Sequence, residues 1–221
     1  IASRHKQHIR SNSDIFQATF KADLSFADMA SYTQYRTEKS DMSLTLSYNG
    51  TGIFEIGLPI ENKTWSQEVL FTSKPGTALQ WTAGVFAFGN KDTWQVLSDN
   101  AQPNRFRIGG SGTNTKTLAA FVDMTYELSP QLFLTAGGRF SHDSVTGAYF
   151  NTFNLPPFDP TFKQPLGDIS SDHFTPRVVL RYKPDDRSSI YASFTQGYKS
   201  AIIDAGGSCQ NSNPDPTKAY I

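Results

Sequence analysis

The chain has 221 residues with 20 basic and 20 acidic side chains, so its formal net charge of zero gives no reason to expect nucleic acid as a partner. Aromatic residues make up 13% of the chain and charged residues 18%, which excludes a disordered polar segment and predicts a folded domain. The longest apolar stretch, around residues 83–89, is far too short for a membrane-spanning helix. The composition does not exclude membrane-spanning β-strands, because their two alternating faces average to a polar composition.

Both chain ends carry information. The chain begins at Ile1 without an initiator Met, and no basic segment followed by an apolar one marks a signal peptide. We expect either a processed protein or a piece of a longer one. The only cysteine, Cys209, excludes an internal disulfide framework and a thiolate metal cluster within this chain. It is either a free loop cysteine or the partner of one beyond Ile221.

Strict alternation is the strongest pattern. From Phe16 to Phe26 every even position is apolar and every odd position is polar, which is typical of a strand with two different faces. The series from Leu118, Leu132 and Phe174 repeat this pattern without a charge on the apolar face. The sequence predicts eight strands at about 15–26, 29–38, 64–74, 78–89, 117–128, 132–144, 173–183 and 188–199.

The predicted connections alternate between short and long. Tight turns are expected at 27–28, 74–77, 129–131 and 184–187, with Pro184 ending the strand before it. The other connections are predicted to have roughly 25 to 30 residues, unusual in a compact soluble sheet. Outer-membrane barrels combine short periplasmic turns with long extracellular loops, and their strands need about 9–11 residues to cross. The pattern therefore predicts an all-β, antiparallel transmembrane β-barrel segment of about eight strands.

The face opposite the apolar one is expected to be wet. It carries Lys21, Asp23, Asp123, Arg139, Arg177 and Arg181. Aromatic side chains near predicted strand ends fit either an interfacial girdle or the core of a soluble β-sandwich. These are Trp65, Tyr126, Tyr182 and Tyr191.

Three blocks carry a family resemblance. Residues 174–200, which begin Phe-Thr-Pro-Arg-Val-Val-Leu-Arg-Tyr and end Gln-Gly-Tyr-Lys-Ser, are the most specific. The hairpins at 65–88 and 120–143 add Gln-Glu-Val-Leu-Phe-Thr-Ser and Leu-Thr-Ala-Gly-Gly-Arg-Phe-Ser. In this order the blocks resemble the barrel domain of TonB-dependent outer-membrane receptors. One departure is Ala-Ile-Ile-Asp at 201–204, where the family often has Gly-Gly-Phe.

The resemblance implies a location in the bacterial outer membrane and a role in taking up a scarce ligand such as a ferric siderophore. It implies outer-membrane lipid, an extracellular ligand and the TonB complex as partners, the last through regions missing from this chain. No counterpart of the family's plug domain or closing strands is recognisable, so we expect residues 1–221 to be a partial barrel domain. No nucleic acid partner, cofactor or enzymatic activity is expected.

Ligand contacts are expected in the loops around 90–116, 145–172 and 200–221 or on the wet face. The arginines suit anionic groups, because a guanidinium can bind a carboxylate with two hydrogen bonds. The candidate ligand-binding residues are Arg139, Asp143, Arg177, Arg181, Tyr198 and Lys199.

Other chemistry is weakly indicated. The glycine-rich run at 109–117 precedes a strand rather than a phosphate-binding helix. His5 and His8 lack an acidic or thiolate partner nearby, and no metal site is expected there. Asp185 and Asp186 sit in a predicted tight turn, where aspartate serves the backbone rather than glycoside hydrolysis.

The sequence leaves open whether a second histidine pair forms a site, and it allows two other architectures. His142 and His173 flank one long loop beside Asp143 and Asp172, so the fold can bring them together, by chance or as a site. A complete eight-stranded structural or adhesive barrel is the alternative to a receptor fragment, and it predicts pairing of the first and last strands. A soluble β-sandwich binding module predicts a dry interior behind the alternating face.

Overall fold

The fold is a single antiparallel β-sheet. The structure, a computed structural model, describes residues 7–48, 52–98, 106–151, 164–200 and 202–203. Its strands are β1 His8–Asp23, β2 Ala27–Tyr48, β3 Gly52–Ser73, β4 Leu79–Ser98, β5 Phe106–Ser129, β6 Leu132–Asn151, β7 Gln164–Pro165, β8 Ile169–Asp185 and β9 Ser188–Thr195. The spatial order is β1-β2-β3-β4-β5-β6-β8-β9, and the two-residue β7 pairs with β6. No helix in the described part of the chain is long and apolar enough to cross a membrane.

The strand register places the predicted apolar positions on one face. Antiparallel partners share a face, so each row of partners can be followed across the sheet. One such row is entirely uncharged and consists of Ala22, Met29, Phe71, Ala83, Val122, Gly138 and Pro176. The large side chains on this outward face have little protein against them: Leu118 is 60% exposed and Phe174 is 61% exposed. A second layer does not cover this face in the described residues, which contradicts the β-sandwich alternative.

The opposite face, called the lumen face below, carries the predicted charges. The row through Lys21 reaches Phe121 and Arg139, and the row through Asp23 reaches Asp123 and Arg177. The prediction of one apolar and one wet face is thus confirmed by the register.

The apolar outward band has a definite height. Its rows on β4 run from Leu79 near the short turns to Ala87, whose partner on β5 is Leu118. The next row contains Phe16, Tyr35, Trp65, Gly89, Lys116, Ser144 and Ser170. Nine residues of a tilted strand span roughly 25 Å, which matches the apolar band of an outer-membrane barrel.

The strands continue well beyond this band, which corrects the predicted loops. Residues 39–63 were expected to form a long loop, but β2 and β3 pair over their whole lengths and leave only 49–51 between them. Likewise β4 and β5 extend towards each other across most of the predicted loop at 90–116. Above the band the outward positions are polar, whereas the lumen positions include Met42, Leu58 and Ile60. The alternation therefore continues there with its apolar side turned to the lumen, and the backbone ladder persists.

The strand ends differ in smaller ways. β1 ends at Asp23 rather than 26, β9 ends at Thr195 rather than 199, and Pro184 does not end β8, which reaches Asp185. The proline is accommodated because the β8–β9 register shifts between Tyr182 and Asp185. An irregular ladder there removes the need for a backbone donor at Pro184.

The aromatic predictions are partly confirmed. Trp65 stands on the outward face at the upper edge of the band, and a Cβ on Gly89 would lie 2.1 Å from its Nε1, so the indole needs glycine at that position. Tyr126 and Tyr182 lie on the outward face near the short turns, as a girdle requires. Tyr191 pairs with Arg181 and therefore lies on the lumen face, so its assignment to a girdle was wrong.

The sheet is open over the described residues. β1 pairs only with β2, and β9 pairs only with β8. The closed eight-stranded barrel predicted pairing between the first and last strands, and this pairing is not found. The two edge strands β1 and β9 need further strands beside them to satisfy their backbone groups in lipid.

Candidate functional site

A cluster on the lumen face surrounds Asp143. This carboxylate lies on β6 and is only 4% exposed. Its directly opposite partner on β5, Thr117, donates its hydroxyl to Oδ1 at 2.6 Å. Tyr198, which follows β9, donates its hydroxyl to Oδ2 at 2.8 Å. Both carboxylate oxygens are thus satisfied by neutral donors, and the segment after β9 is tied to β6.

Tyr198 is held by a ring contact as well. The His173 ring on β8 stacks against the phenol ring with centroids 4.2 Å apart and an interplanar angle of 18°. Because Tyr198 lies after the last strand and is packed against β6 and β8, burial raises the pKa of its phenol. The phenol therefore stays protonated at neutral pH and keeps donating to Asp143.

Arg139 lies beside this cluster and makes cation–π contacts with two phenylalanine rings. Its guanidinium carbon is 5.3 Å from the ring centroid of Phe86 and 5.7 Å from that of Phe121. Its Nε donates to the Ser141 hydroxyl at 3.1 Å. Among the described residues the two terminal guanidinium nitrogens have no hydrogen-bond partner, so they can donate to a group in the lumen.

The other predicted residues lie elsewhere. Arg177 forms an ion pair with Asp123 at 3.0 Å, nearer to the short turns. Arg181 stacks over the Phe133 ring at 4.8 Å, lower still on the wall. Lys199 is exposed and makes no ion pair with the part of the chain that the structure describes. The structure therefore brings together Arg139, Asp143 and Tyr198 but not Arg177, Arg181 and Lys199.

Sequence reasoning missed Thr117, Ser141 and the ring partners of Arg139. The predicted three-residue turn at 129–131 offers a signal for Thr117, since a register counted from it sets residue 128 opposite 132 and therefore Thr117 opposite Asp143, the pairing observed. No comparable signal exists for the contact of Tyr198, because it depends on a segment outside the strand ladder.

The two histidines of the long loop lie on opposite faces. His142 pairs with Asp172 on the outward face, with Nδ1 2.7 Å from Oδ1. His173 is opposite Ser141 and faces the lumen. The register separates them, so they form no joint site. No group of three or more potential metal ligands occurs among the described residues, which do not include His5 or Cys209.

Asp185 serves the turn, as predicted. The Arg187 amide donates to its Oδ1 at 2.8 Å. This backbone hydrogen bond lowers the pKa of the carboxyl, because it stabilises the ionised form. The carboxylate therefore holds the β8–β9 turn, and its low pKa is the reverse of what a general acid requires.

A cavity of about 460 Å³ lies higher on β1–β4, and most of the residues that line it share the outward face. They include Arg10, Lys39, Asp41 and Glu61. The Oδ2 atom of Asp41 lies 3.3 Å from Nε2 of His8, within hydrogen-bonding distance. The other carboxylate oxygen, Oδ1, is buried and has no hydrogen-bond partner among the described residues. This cavity is separate from the cluster around Asp143.

Comparisons with known proteins agree with this architecture. The sequence profile described as "TonB dependent receptor-like, beta-barrel" matches residues 2–220. The chain belongs to the TonB-dependent receptor family. The family is one of transport receptors, and its barrels lie in the bacterial outer membrane, where this chain is located. The short turns correspond to the periplasmic side of such a barrel and the strand extensions to the extracellular side.

Curated relatives match part of this receptor barrel. The pesticin receptor of Yersinia enterocolitica is 28% identical over 117 residues, which cover 52% of this chain and 17% of that protein. The pesticin receptor of Yersinia pestis matches over the same length and at the same identity. The matched part of the chain thus spans less than a fifth of these relatives.

Solved structures share the fold. The ferric yersiniabactin uptake receptor FyuA from Yersinia pestis superposes with a TM-score of 0.73 at 18% identity, over 90% of this chain and 31% of that one. The ferric-catecholate import receptor Fiu from E. coli gives a TM-score of 0.64 at 12% identity, over 86% and 36%. The copper transporter OprC gives 0.59 at 13% identity, over 85% and 30%. This chain therefore spans about a third of the length of these receptor chains.

Proposed function

We propose that this chain forms part of the barrel wall of an outer-membrane receptor that imports a scarce ligand, with a ferric siderophore as the favoured class. Family membership supports a transport receptor, and the ferric yersiniabactin and ferric-catecholate receptors among the similar structures favour iron over other cargo. The chain acts as wall and extracellular extension, not as a catalyst. Residues 1–221 then form a partial barrel domain, and the plug, the TonB contact and the closing strands belong to other parts of the receptor.

The arrangement around Arg139 carries the proposal for the site. The two terminal guanidinium nitrogens of Arg139, which have no partner among the residues that the structure describes, lie on the lumen face, and the rings of Phe86 and Phe121 hold the group in place near Tyr198. Ferric siderophore complexes present carboxylate, phenolate or catecholate oxygens, which are acceptors for a guanidinium. We assign ligand contact to Arg139 and Tyr198, with Asp143 positioning the phenol.

The first test is uptake by the full-length receptor. A strain deleted for the receptor is complemented with the wild-type gene and supplied with ferric yersiniabactin, a ferric catecholate or copper as probes. Receptor-dependent accumulation of radioactive iron from either ferric probe supports the proposal. Accumulation of copper alone, or of none of the three probes, contradicts it.

Variants then test the site within a working receptor. Arg139→Ala is expected to weaken binding of the accumulated ferric probe about tenfold, equivalent to about 1.4 kcal/mol. Arg181→Ala is the matched control, because it removes the same charge from the same face, lower on the wall. Equal losses in the two variants would refute a specific role for Arg139 while leaving the uptake function intact.

A further inference from the structure

Three lysines form a compact patch on the outward face just above the apolar band. This lysine patch consists of Lys63 on β3, Lys91 on β4 and Lys116 on β5. Lys63 and Lys91 are direct antiparallel partners. Lys116 pairs with Gly89, two residues below Lys91 on the same face. The patch therefore spans three neighbouring strands at the edge of the membrane.

The pairing of Lys63 with Lys91 is unfavourable by itself. Directly opposite side chains have Cβ atoms about 5 Å apart, and like charges at that spacing repel. Glu61 compensates only in part: it accepts from Lys63 at 2.9 Å and lies 3.7 Å from Lys39. Among the described residues Lys91 and Lys116 have no anionic partner. The patch thus has an excess of positive charge that an external anion can neutralise.

The depth of the patch indicates where that anion lies. Lys116 shares the row of Tyr35 and Trp65, whose amphipathic rings suit the membrane–water interface. Two residues of a tilted strand rise about 5 Å, so Lys63 and Lys91 lie about 5 Å above that row. Long lysine stems reach along apolar surface while the ammonium group stays hydrated. The ammonium groups therefore lie at headgroup height.

We propose that the lysine patch binds the phosphate groups of an anionic lipid in the outer leaflet, with one phosphate seated between Lys63 and Lys91. The class of ligand is a lipid whose headgroup carries phosphomonoesters. Such a group has a charge of about −1.5 to −2 at neutral pH and several acceptor oxygens, so it can neutralise two ammonium groups at once. The proposal rests on the family's outer-membrane location and not on the identity of the imported ligand.

Binding by the purified full-length receptor tests the proposal. The probes are a phosphomonoester glycolipid (lipid A), a phosphodiester lipid (phosphatidylglycerol) and inorganic phosphate, each added to receptor in neutral detergent. Lipid A is expected to bind, phosphatidylglycerol to bind at least fivefold more weakly, and free phosphate at the same concentration to leave lipid A bound. Displacement by equimolar phosphate would overturn the assignment to a lipid.

The decisive variant changes all three patch lysines to glutamine. We expect lipid A to bind at least tenfold more weakly to it. The matched control changes Lys21, Lys183 and Lys199 to glutamine, which removes the same charge away from the patch, and it is expected to bind lipid A within twofold of wild type. Unchanged binding by the patch variant, or an equal loss in the control, would overturn the proposal.

A single substitution keeps the test informative if the triple variant fails to fold. Lys91→Gln removes the repulsion with Lys63 and also one phosphate ligand. Its thermal midpoint is expected to rise above that of wild type in phosphatidylcholine vesicles and to fall below it in vesicles that contain lipid A. A shift of the same sign in both vesicles would contradict phosphate binding between Lys63 and Lys91.

Discussion

The lower and upper halves of the strands have the same backbone and different surfaces. Below the row of Trp65 most outward positions are apolar, with His142 and Asp172 as the ionisable pair in the row just beneath it, and the row from Ala22 to Pro176 crosses the sheet without a charge. Above that row the outward positions are polar and the lumen positions include Met42, Leu58 and Ile60, while the ladder of β2 and β3 continues to Tyr48 and Gly52. The difference teaches that backbone pairing sets the length of these strands, whereas the membrane determines only which side chains the lower half can carry.

A charge placed in the lower half gives the sharpest test of this comparison. Val122→Arg puts a guanidinium at the middle of the apolar band and is expected to lower the free energy of unfolding by about 2–4 kcal/mol. Ser170→Arg places the same charge at the upper edge, where about 0–1 kcal/mol is expected. Denaturant unfolding of the full-length receptor in lipid vesicles measures both. Equal losses would show that the band does not face lipid.

Close backbone approach distinguishes the paired wall from the segment that follows β9. A Cβ on Gly137 would lie 2.8 Å from the carbonyl oxygen of Val122, whereas one on Gly197 meets nothing within 4 Å. We expect Gly137→Ala to destabilise the receptor by about 1–3 kcal/mol, because the backbone of β5 cannot move aside. Gly197→Ala is the control and should leave the unfolding midpoint unchanged. If Gly137→Ala left the unfolding midpoint unchanged, β5 and β6 would be less closely packed than the 2.8 Å approach indicates.

The lumen cluster connects the two halves at the upper edge of the band. Tyr198→Phe removes the donor to Asp143 and is expected to cost about 1 kcal/mol, since Thr117 still satisfies one carboxylate oxygen. Hydrogen exchange should report this locally, because the Gln196 amide bonded to the Pro176 carbonyl at 3.1 Å becomes less protected. Tyr191→Phe, on the same face and without such a bond, should leave that amide unchanged.

The smallest effect is expected at the periplasmic turns. Lys74 bridges Asp23, at 2.6 Å, and Asp28, and these hydrogen bonds raise the pKa of its ammonium group. The stability that this bridge contributes is complete below the pKa of lysine in the unfolded chain and is lost as the pH rises through the higher folded value.

The unfolding midpoint of wild type should therefore exceed that of Lys74→Met slightly at neutral pH. The two midpoints should converge as the pH rises beyond the raised folded pKa of Lys74, where the lysine is neutral in both states. A difference that persists at high pH would show that Lys74 acts through packing rather than charge.

The sequence prediction was detailed for the lower half of the fold and missed the strand extensions of the upper half. Alternation located all eight long strands, because a lipid face on one side and water on the other enforce a period of two. It ended β2 near residue 38 and began β3 near 64, although both strands continue and pair above the band. The sequence there still alternates, with Met42 and Leu44 and then Ile56, Leu58 and Ile60 at every second position, but these apolar side chains lie on the lumen face. The apolar face thus changes sides at the top of the band, where a pattern followed from the lipid face ends.

The same limit applies to the candidate site. The sequence alone placed Arg139 and Asp143 on the wet face, because their positions follow the strand period. Only the tertiary structure decided that Tyr198 reaches Asp143, that Arg139 rests on Phe86 and Phe121, and that Lys63 faces Lys91. These contacts join residues far apart in the chain, and the pairing of whole strands, rather than any local pattern, brings them together.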